Sequence, residues 1–380
     1  MSERLRVLVV DDSALMRKLI PRMLEKHPSI EVVGTAMDGA FALKKIEELK
    51  PDVVTLDLEM PRMDGIEALR LIMQQFDVPV IVVSTHSREG AYTTFKALAL
   101  GAIDFVAKPG DAASGSLDPI AGELVQKILV AGRVGRQRNT TQVSAEPKTV
   151  SKGEPRAARQ PNRVVALGVS TGGPNALQYV LSQIPADFPA ALLVVQHMPE
   201  GFTEMLAKRL NDCCEIDVAE ARSGDILLAG RALICPGNRH MMARRMPRGD
   251  VTVLTDSAPV NGHRPSVDVL FHSVAQEFGP SSIAVLMTGM GEDGADGLGA
   301  IKNSGGTTVA QSEESCVVSG MPRAAILKGY ATHVVHLEKI GAFLVNECSG
   351  DRGVIEPLER KSSTERQDGK ERTPVSSPRN

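Results

Sequence analysis

Short apolar runs alternate with longer stretches in which apolar residues recur at helical spacing over the first 130 residues. The runs Leu5–Val10, Glu31–Gly34, Val53–Leu56, Pro79–Val83 and Ile103–Val106 predict strands. Several are apolar almost throughout, the pattern of strands buried on both faces of a parallel sheet. Helices are predicted over Leu15–Leu24, Ala40–Leu49, Ile66–Gln75, Tyr92–Leu100 and Leu117–Val130. Five strands alternating with five helices make a doubly wound α/β unit. Between Arg133 and Asn162 the periodicity stops, and basic residues are interspersed with Gly, Ser, Thr, Pro and Gln, the composition of a flexible linker.

The alternation resumes at Val164. Strands are predicted at Val164–Leu167, Ala191–Val195, Ala232–Cys235, Val251–Leu254, Ser282–Met287, Thr307–Ala310 and Thr332–Val335, with Val251–Leu254 open between an antiparallel edge and a hairpin. Helices are predicted at Pro174–Gln183, Gly201–Asn211, Ser266–Gly279, Gly294–Ser304, Pro322–Leu327 and Ile340–Cys348. This is a second doubly wound, mainly parallel α/β unit. After Ser349 the chain is polar and of mixed charge, as disordered segments are. The predicted organisation is therefore 1–130, a first α/β domain; 131–162, a linker; 163–349, a second; and 350–380, a tail.

In doubly wound sheets ligands sit at the carboxyl ends of the strands. In the first domain those ends carry Asp11, Asp12, Asp57, Ser84 and Lys108. Three carboxylates at one edge call for a cation, and hard oxygen ligands favour Mg²⁺. Asp57 can then attack a phosphoryl donor, with Lys108 and the Ser84 hydroxyl left to pair with the new charge. In the second domain, Val164–Pro174 reads V-V-A-L-G-V-S-T-G-G-P, a strand, a tight turn at Ser170 and a helix opening on Pro174. Gly168-x-Ser170-x-Gly172 is the spacing of a nucleophile elbow. A nucleotide loop would need an acidic residue at the end of the next strand, where Gln196-His197 stands. A glycine-rich turn with an incidental serine stays open on the motif alone.

A serine nucleophile needs a base and an orienting acid. His197, at a strand's carboxyl end, is favoured as the base over His263, with His240 and His272 also present. The loop Thr288-Gly-Met-Gly-Glu-Asp-Gly294 presents Glu292 and Asp293; Asp293 can orient the imidazole, or either can cap the following helix. The chain order Ser, His, Asp differs from that of the α/β-hydrolases. Backbone amides of Ser170–Gly173 and Gly289–Gly291 are candidates for an oxyanion hole.

Composition narrows the classes of function. The 380 residues contain no Trp and three Tyr, and the net charge is −3, so stacking on or attraction to nucleic acid is disfavoured. Five scattered cysteines show no zinc spacing and suit a reducing compartment. Nothing resembles a signal peptide or a membrane span, so a cytoplasmic protein is expected.

Asp11-Asp12, Asp57 followed by Met60-Pro61-x-x-Asp64-Gly65, Ser84 and Lys108-Pro109 resemble the receiver domains of two-component response regulators. That resemblance implies Mg²⁺-dependent phosphorylation of Asp57 by a histidine kinase, with Asp11, Asp12 and Asp57 at the metal and Phe105 as a switching aromatic. Gly168-x-Ser170-Thr-Gly-Gly-Pro174, Gln196-His197-Met-Pro199, Cys235-Pro-Gly237, His263-Arg-Pro-Ser-Val-Asp268 and Thr288-Gly-Met-Gly291-x-Asp293-Gly294 resemble the chemotaxis methylesterases. This second resemblance implies Ser170, His197 and Asp293 as a catalytic triad, Thr171 as an aid in orienting His197, and the Met290 amide as an oxyanion donor. It implies demethylation of glutamate methyl esters, and deamidation of certain glutamines, on chemoreceptors. The competing class is a phosphorylation-dependent adaptor acting on some other target.

Overall fold

The computed structural model describes residues 4–85, 87–108, 118–135 and 159–350. The first unit is a five-stranded, all-parallel sheet of β1 (Leu5–Val10), β2 (Ile30–Ala36), β3 (Val53–Asp57), β4 (Val80–Ser84) and β5 (Asp104–Ala107), in the order β2-β1-β3-β4-β5. Residues on β1 alternate between faces, as the strand's two-residue period requires. Val7 and Val9 pack with α1 (Met16–Leu24) and α5 (Asp118–Gly135). Leu8 and Val10 pack with α2 (Gly39–Leu49), α3 (Gly65–Gln75) and α4 (Arg88–Leu100). Asp38, Asp64 and Ser87 cap these last three helices, each accepting a first-turn amide.

The second unit is a seven-stranded parallel sheet, order β14-β13-β12-β6-β7-β9-β8. Its strands are β6 (Val164–Val169), β7 (Ala191–Gln196), β8 (Asp217–Glu220), β9 (Arg231–Ile234), β12 (Ser282–Leu286), β13 (Thr307–Gln311) and β14 (His333–Val335). Helices α6 (Gly173–Leu181), α7 (Phe202–Cys213) and α11 (Leu337–Ser349) cover one face. Helices α8 (Val267–Phe278), α9 (Ala295–Asn303) and α10 (Gly320–Leu327) cover the other. A separate antiparallel pair, β10 (His240–Arg244) and β11 (Val251–Thr255), packs with α8, which makes the Val251–Leu254 run one arm of a hairpin. Chain order reverses at β6, flanked by β12 and β7, so the carboxyl ends of these three strands form the crevice where such sheets bind ligands.

Several boundaries differ from the sequence reading. α4 starts at Arg88 rather than Tyr92, because Ser87 supplies its cap. α6 starts at Gly173, with Pro174 in its first turn rather than as its first residue. α5 continues to Gly135, into the stretch read as linker. The rest of that linker up to residue 158, Pro109 and the tail beyond Gly350 lie outside the described residues.

The two units pack together. Apolar residues of α3, α4 and β5 share one buried cluster with α6 and α7, and Phe105 of β5 stacks on Phe202 of α7 with ring centroids 4.7 Å apart.

Candidate active site and phosphoacceptor pocket

In the first unit Asp11 and Asp12 follow β1, Asp57 ends β3, Ser84 ends β4 and Lys108 follows β5. Asp11 and Asp57 are buried and Asp12 is exposed, and oxygens of all three lie within 4.8 Å of one another. Lys108 Nζ stands 2.7 Å from Asp57 Oδ2 and 3.0 Å from Asp11 Oδ2. Burial pushes the Asp57 carboxyl up to about 6, with Lys108 opposing and Asp11 adding to the rise. Asp11 Oδ2, although it faces Lys108, makes no aligned hydrogen bond. Crowded, under-satisfied carboxylate oxygens fit a hard divalent cation. Gly65 lets the loop after β3 press against this pocket: a Cβ there would lie 2.3 Å from the Asp57 carbonyl oxygen. The Ser84 hydroxyl donates to the Gly90 carbonyl on α4, at 3.3 Å.

In the second unit Ser170 directly follows β6. Its amide donates to Thr288 O at 2.9 Å, and its carbonyl accepts the Gly173 amide at 2.8 Å. Gly172 makes the turn with φ of 76°, a conformation that favours glycine. His197 directly follows β7, and its amide closes the β6–β7 ladder on Val169 O. Its Nε2 is 2.8 Å from Asp293 Oδ2. Nδ1 is buried and without a partner, so it is the ring nitrogen free to meet the serine. No hydrogen bond joins the Ser170 hydroxyl to His197 among the described residues.

Asp293 is held on every side. Ser266 Oγ donates to Oδ1 at 2.7 Å, Asn261 Nδ2 at 2.9 Å, and the Val267 amide to Oδ2 at 2.7 Å. That amide opens α8, so the carboxylate also sits at the positive end of a helix. Burial pushes the Asp293 carboxyl up, but the His197 hydrogen bond and charge, with Asn261 and Ser266, outweigh it and hold the group well below the usual carboxylate range.

The competing groups separate cleanly. The Glu292 side chain is 71% exposed and pairs with Lys328, whereas Asp293 is fully enclosed. His240 is buried, with Nδ1 accepting the Ser266 amide and Nε2 facing Ala258 O. His263 lies flat on His197, centroids 3.9 Å apart and planes 8° apart. Burial, helped by His197, lowers the His263 ring to about 4, so it is neutral near pH 7. Among the described residues the Met290 amide has no backbone acceptor, while its neighbour Gly289 donates to Val318 O. Burial drives the thiols of Cys316 and Cys348 up to about 12, and no disulfide joins any of the five cysteines.

Thr171 directly follows Ser170 at the end of β6 and is buried. Its side chain faces Asp104, a buried carboxylate at the start of β5 in the other unit. Asp104 is paired in turn with Lys127 of α5 at 3.3 Å, and Lys127 also binds Phe105 O at 2.6 Å. Two esterase-side donors reach α4: Arg209 Nη1 binds Phe95 O, and Asn175 Nδ2 binds Leu98 O at 3.0 Å.

Sequence reasoning missed Asn261 and Ser266 as contributors to the site. Ser266 lay within a quoted motif and Asn261 just before it, but nothing in the order of residues aimed either at Asp293.

Comparison with known proteins places the chain in a family. Residues 165–344 match the CheB methylesterase family and residues 7–115 the response regulator receiver domain. A protein-glutamate methylesterase/protein-glutamine glutaminase of Koribacter versatilis is 59% identical over 92% of this chain and 97% of its own. A protein of the same description from Halalkalibacterium halodurans is 46% identical over 92% of this chain and 99% of its own. With a receiver sheet, a seven-stranded esterase sheet and relatives alike from end to end, the chain belongs to the CheB methylesterases.

Proposed function

We propose that the chain is a phosphorylation-controlled serine hydrolase that removes methyl groups from glutamate esters, and amide groups from certain glutamines, on chemoreceptors in the cytoplasm. The observation that carries it is the His197–Asp293 pair at the same sheet crevice as Ser170, with His197 Nδ1 left without a partner. Ser170 Oγ attacks the side-chain carbonyl of the substrate, and its proton passes to His197 Nδ1. Asp293 stabilises the imidazolium. The Met290 N–H donates to the oxyanion. The C–O bond to methoxide, or the C–N bond to the amide nitrogen, breaks as His197 returns the proton, so methanol or ammonia leaves. Water then cleaves the glutamyl–serine ester by the same route. The product is glutamate, with Ser170 regenerated.

The receiver controls access. Asp11, Asp12 and Asp57 would hold Mg²⁺, which neutralises charge on a phosphoryl donor; the donor is a histidine kinase. Lys108 binds Asp57 and directly follows β5, whose first two residues, Asp104 and Phe105, rest on Thr171 and Phe202. Phosphorylation pulls on this strand from one end and shifts the population away from the docked arrangement. While docked, the Thr171 side chain faces Asp104 of the receiver, and undocking leaves it to orient His197.

No helix among the described residues is long and apolar enough to cross a membrane. The test is methanol release from methylated receptor by the wild type and by Ser170→Ala. Loss of release in the variant is expected, and equal release would sink the serine mechanism. An adaptor would release none with either protein.

A further inference from the structure

β7 reads Ala-Leu-Leu-Val-Val-Gln and β13 Thr-Thr-Val-Ala-Gln. Each ends on a glutamine inside the fold: Gln196 is 2% exposed and Gln311 fully buried. A primary amide there costs desolvation unless its hydrogen bonds are made, so its partners show what it is for.

Gln196 Nε2 donates to two carbonyls, Ser170 O at 3.0 Å and His197 O at 3.1 Å. The β6–β7 ladder has ended one step earlier, at His197 N to Val169 O. Beyond that point the two strand ends part, and this one amide group bridges them. Its Oε1 is buried without a partner. It also lies so close to α6 that a Cβ on Gly173 would be 2.0 Å away. The side chain is therefore held for its donors alone.

Gln311 works from the other side with the opposite polarity. Its Oε1 accepts the Thr288 amide at 2.9 Å, and its Nε2 donates to Ser315 O at 2.6 Å. Thr288 in turn accepts the Ser170 amide on its carbonyl, donates from Oγ1 to Thr171 O at 2.9 Å, and accepts the Val318 amide on Oγ1 at 3.0 Å. Thr288 opens the loop that carries Met290.

Resting on the serine mechanism above, we infer that Gln196 and Gln311 are paired positioning residues. Gln196 sets the nucleophile against its base, and Gln311 sets it against the oxyanion loop. Neither touches substrate. Both act by fixing backbone that would otherwise drift at the open end of the sheet, where an error near 1 Å costs about 100-fold in rate.

The polarity makes the inference testable. Glu at 196 has the shape of Gln but no donors, and it points a carboxylate at two carbonyls. Gln311→Glu keeps the acceptor that Thr288 N–H needs but aims its other carboxylate oxygen at Ser315 O, where Nε2 now donates at 2.6 Å. Full-length Gln196→Glu, Gln196→Met, Gln311→Glu and Gln311→Met are assayed for methanol release from methylated receptor. Receiver phosphorylation and the melting curve report the folded fraction. Both Gln196 variants and Gln311→Met are expected to lose at least about tenfold in kcat with KM within about twofold, the signature of a loss felt only in the transition state. Gln311→Glu is expected to lose as much as Gln311→Met, because it loses the donor to Ser315 O.

Wild-type kcat per folded molecule in the Gln196 variants overturns the role of Gln196. Wild-type kcat per folded molecule in the Gln311 variants overturns the role of Gln311. Ser170→Ala run alongside separates the two layers. If it stays active, the serine mechanism has failed; if it is dead while the glutamine variants are normal, only the positioning has failed.

Discussion

Asp57 occupies a place that suits a phosphoacceptor and costs stability. Folding buries its carboxyl beside Asp11, and Lys108 repays only part of that cost, so its titration rises from 3.8 to about 6. Between these values the folded chain binds a proton that the unfolded chain does not. Above about pH 6 the charged, buried form is a net burden, on the order of 1–3 kcal/mol once the lost partner of Lys108 is allowed for. Asp57→Asn should therefore raise the urea midpoint in Mg²⁺-free buffer at pH 8, with the gain shrinking below pH 6 and gone near pH 4. A midpoint that falls at pH 8 would show that Lys108 outweighs burial. Residue types at strand ends were enough to pick out Asp57, but they could not choose between Glu292 and Asp293. Those two share one loop, and the choice is made by Ser266, Asn261 and the first amide of α8, which approach from an element folded earlier in the chain.

At the scale of elements, the strands buried on both faces were legible because their apolar runs have few other uses. β8 and β10 were not. β8 reads Asp-Val-Ala-Glu at a sheet edge, and β10 reads His-Met-Met-Ala-Arg in a hairpin off the main sheet, so neither carries a continuous apolar run. Loops were legible only as motifs. Gly65 was quoted for its place after Met60-Pro61-x-x-Asp64, but its reason is the Asp57 carbonyl against which the loop closes. Gly65→Ala puts a methyl group into backbone, which cannot swing aside. The expected result is a loss of at least about tenfold in phosphate incorporation at Asp57, while the esterase unit keeps its fold and its unphosphorylated rate. Unchanged incorporation from a small-molecule phosphodonor would show that the loop can retreat without moving Asp57.

The relation between the two units was the part least written in the sequence. A linker predicts that domains can meet, not which faces do. The face used is α4 and β5 of the receiver against α6 and α7 of the esterase, and it combines an aromatic stack with polar links that each unit supplies to the other. Arg209 is the most separable of these links. It lies on α7, away from Ser170, and binds the Phe95 carbonyl on α4 and Gln178 on α6. Burial lowers its titration, so its guanidinium bears a desolvation cost that the docked arrangement offsets with hydrogen bonds. Hydrogen bonds to a charged group contribute about 1.5–3 kcal/mol. Arg209→Ala should move the docking equilibrium toward the open form by about tenfold or more. Methanol release by the unphosphorylated chain should rise accordingly, up to the ceiling set by the phosphorylated wild type. The phosphorylated rate of the variant should match that ceiling, because Arg209 takes no part in the chemistry. A basal rate that stays low would mean the receiver is held by the Phe105–Phe202 stack and the Asp104–Thr171 contact without help from α4. A phosphorylated rate below wild type would mean instead that Arg209 supports the esterase unit itself through Gln178.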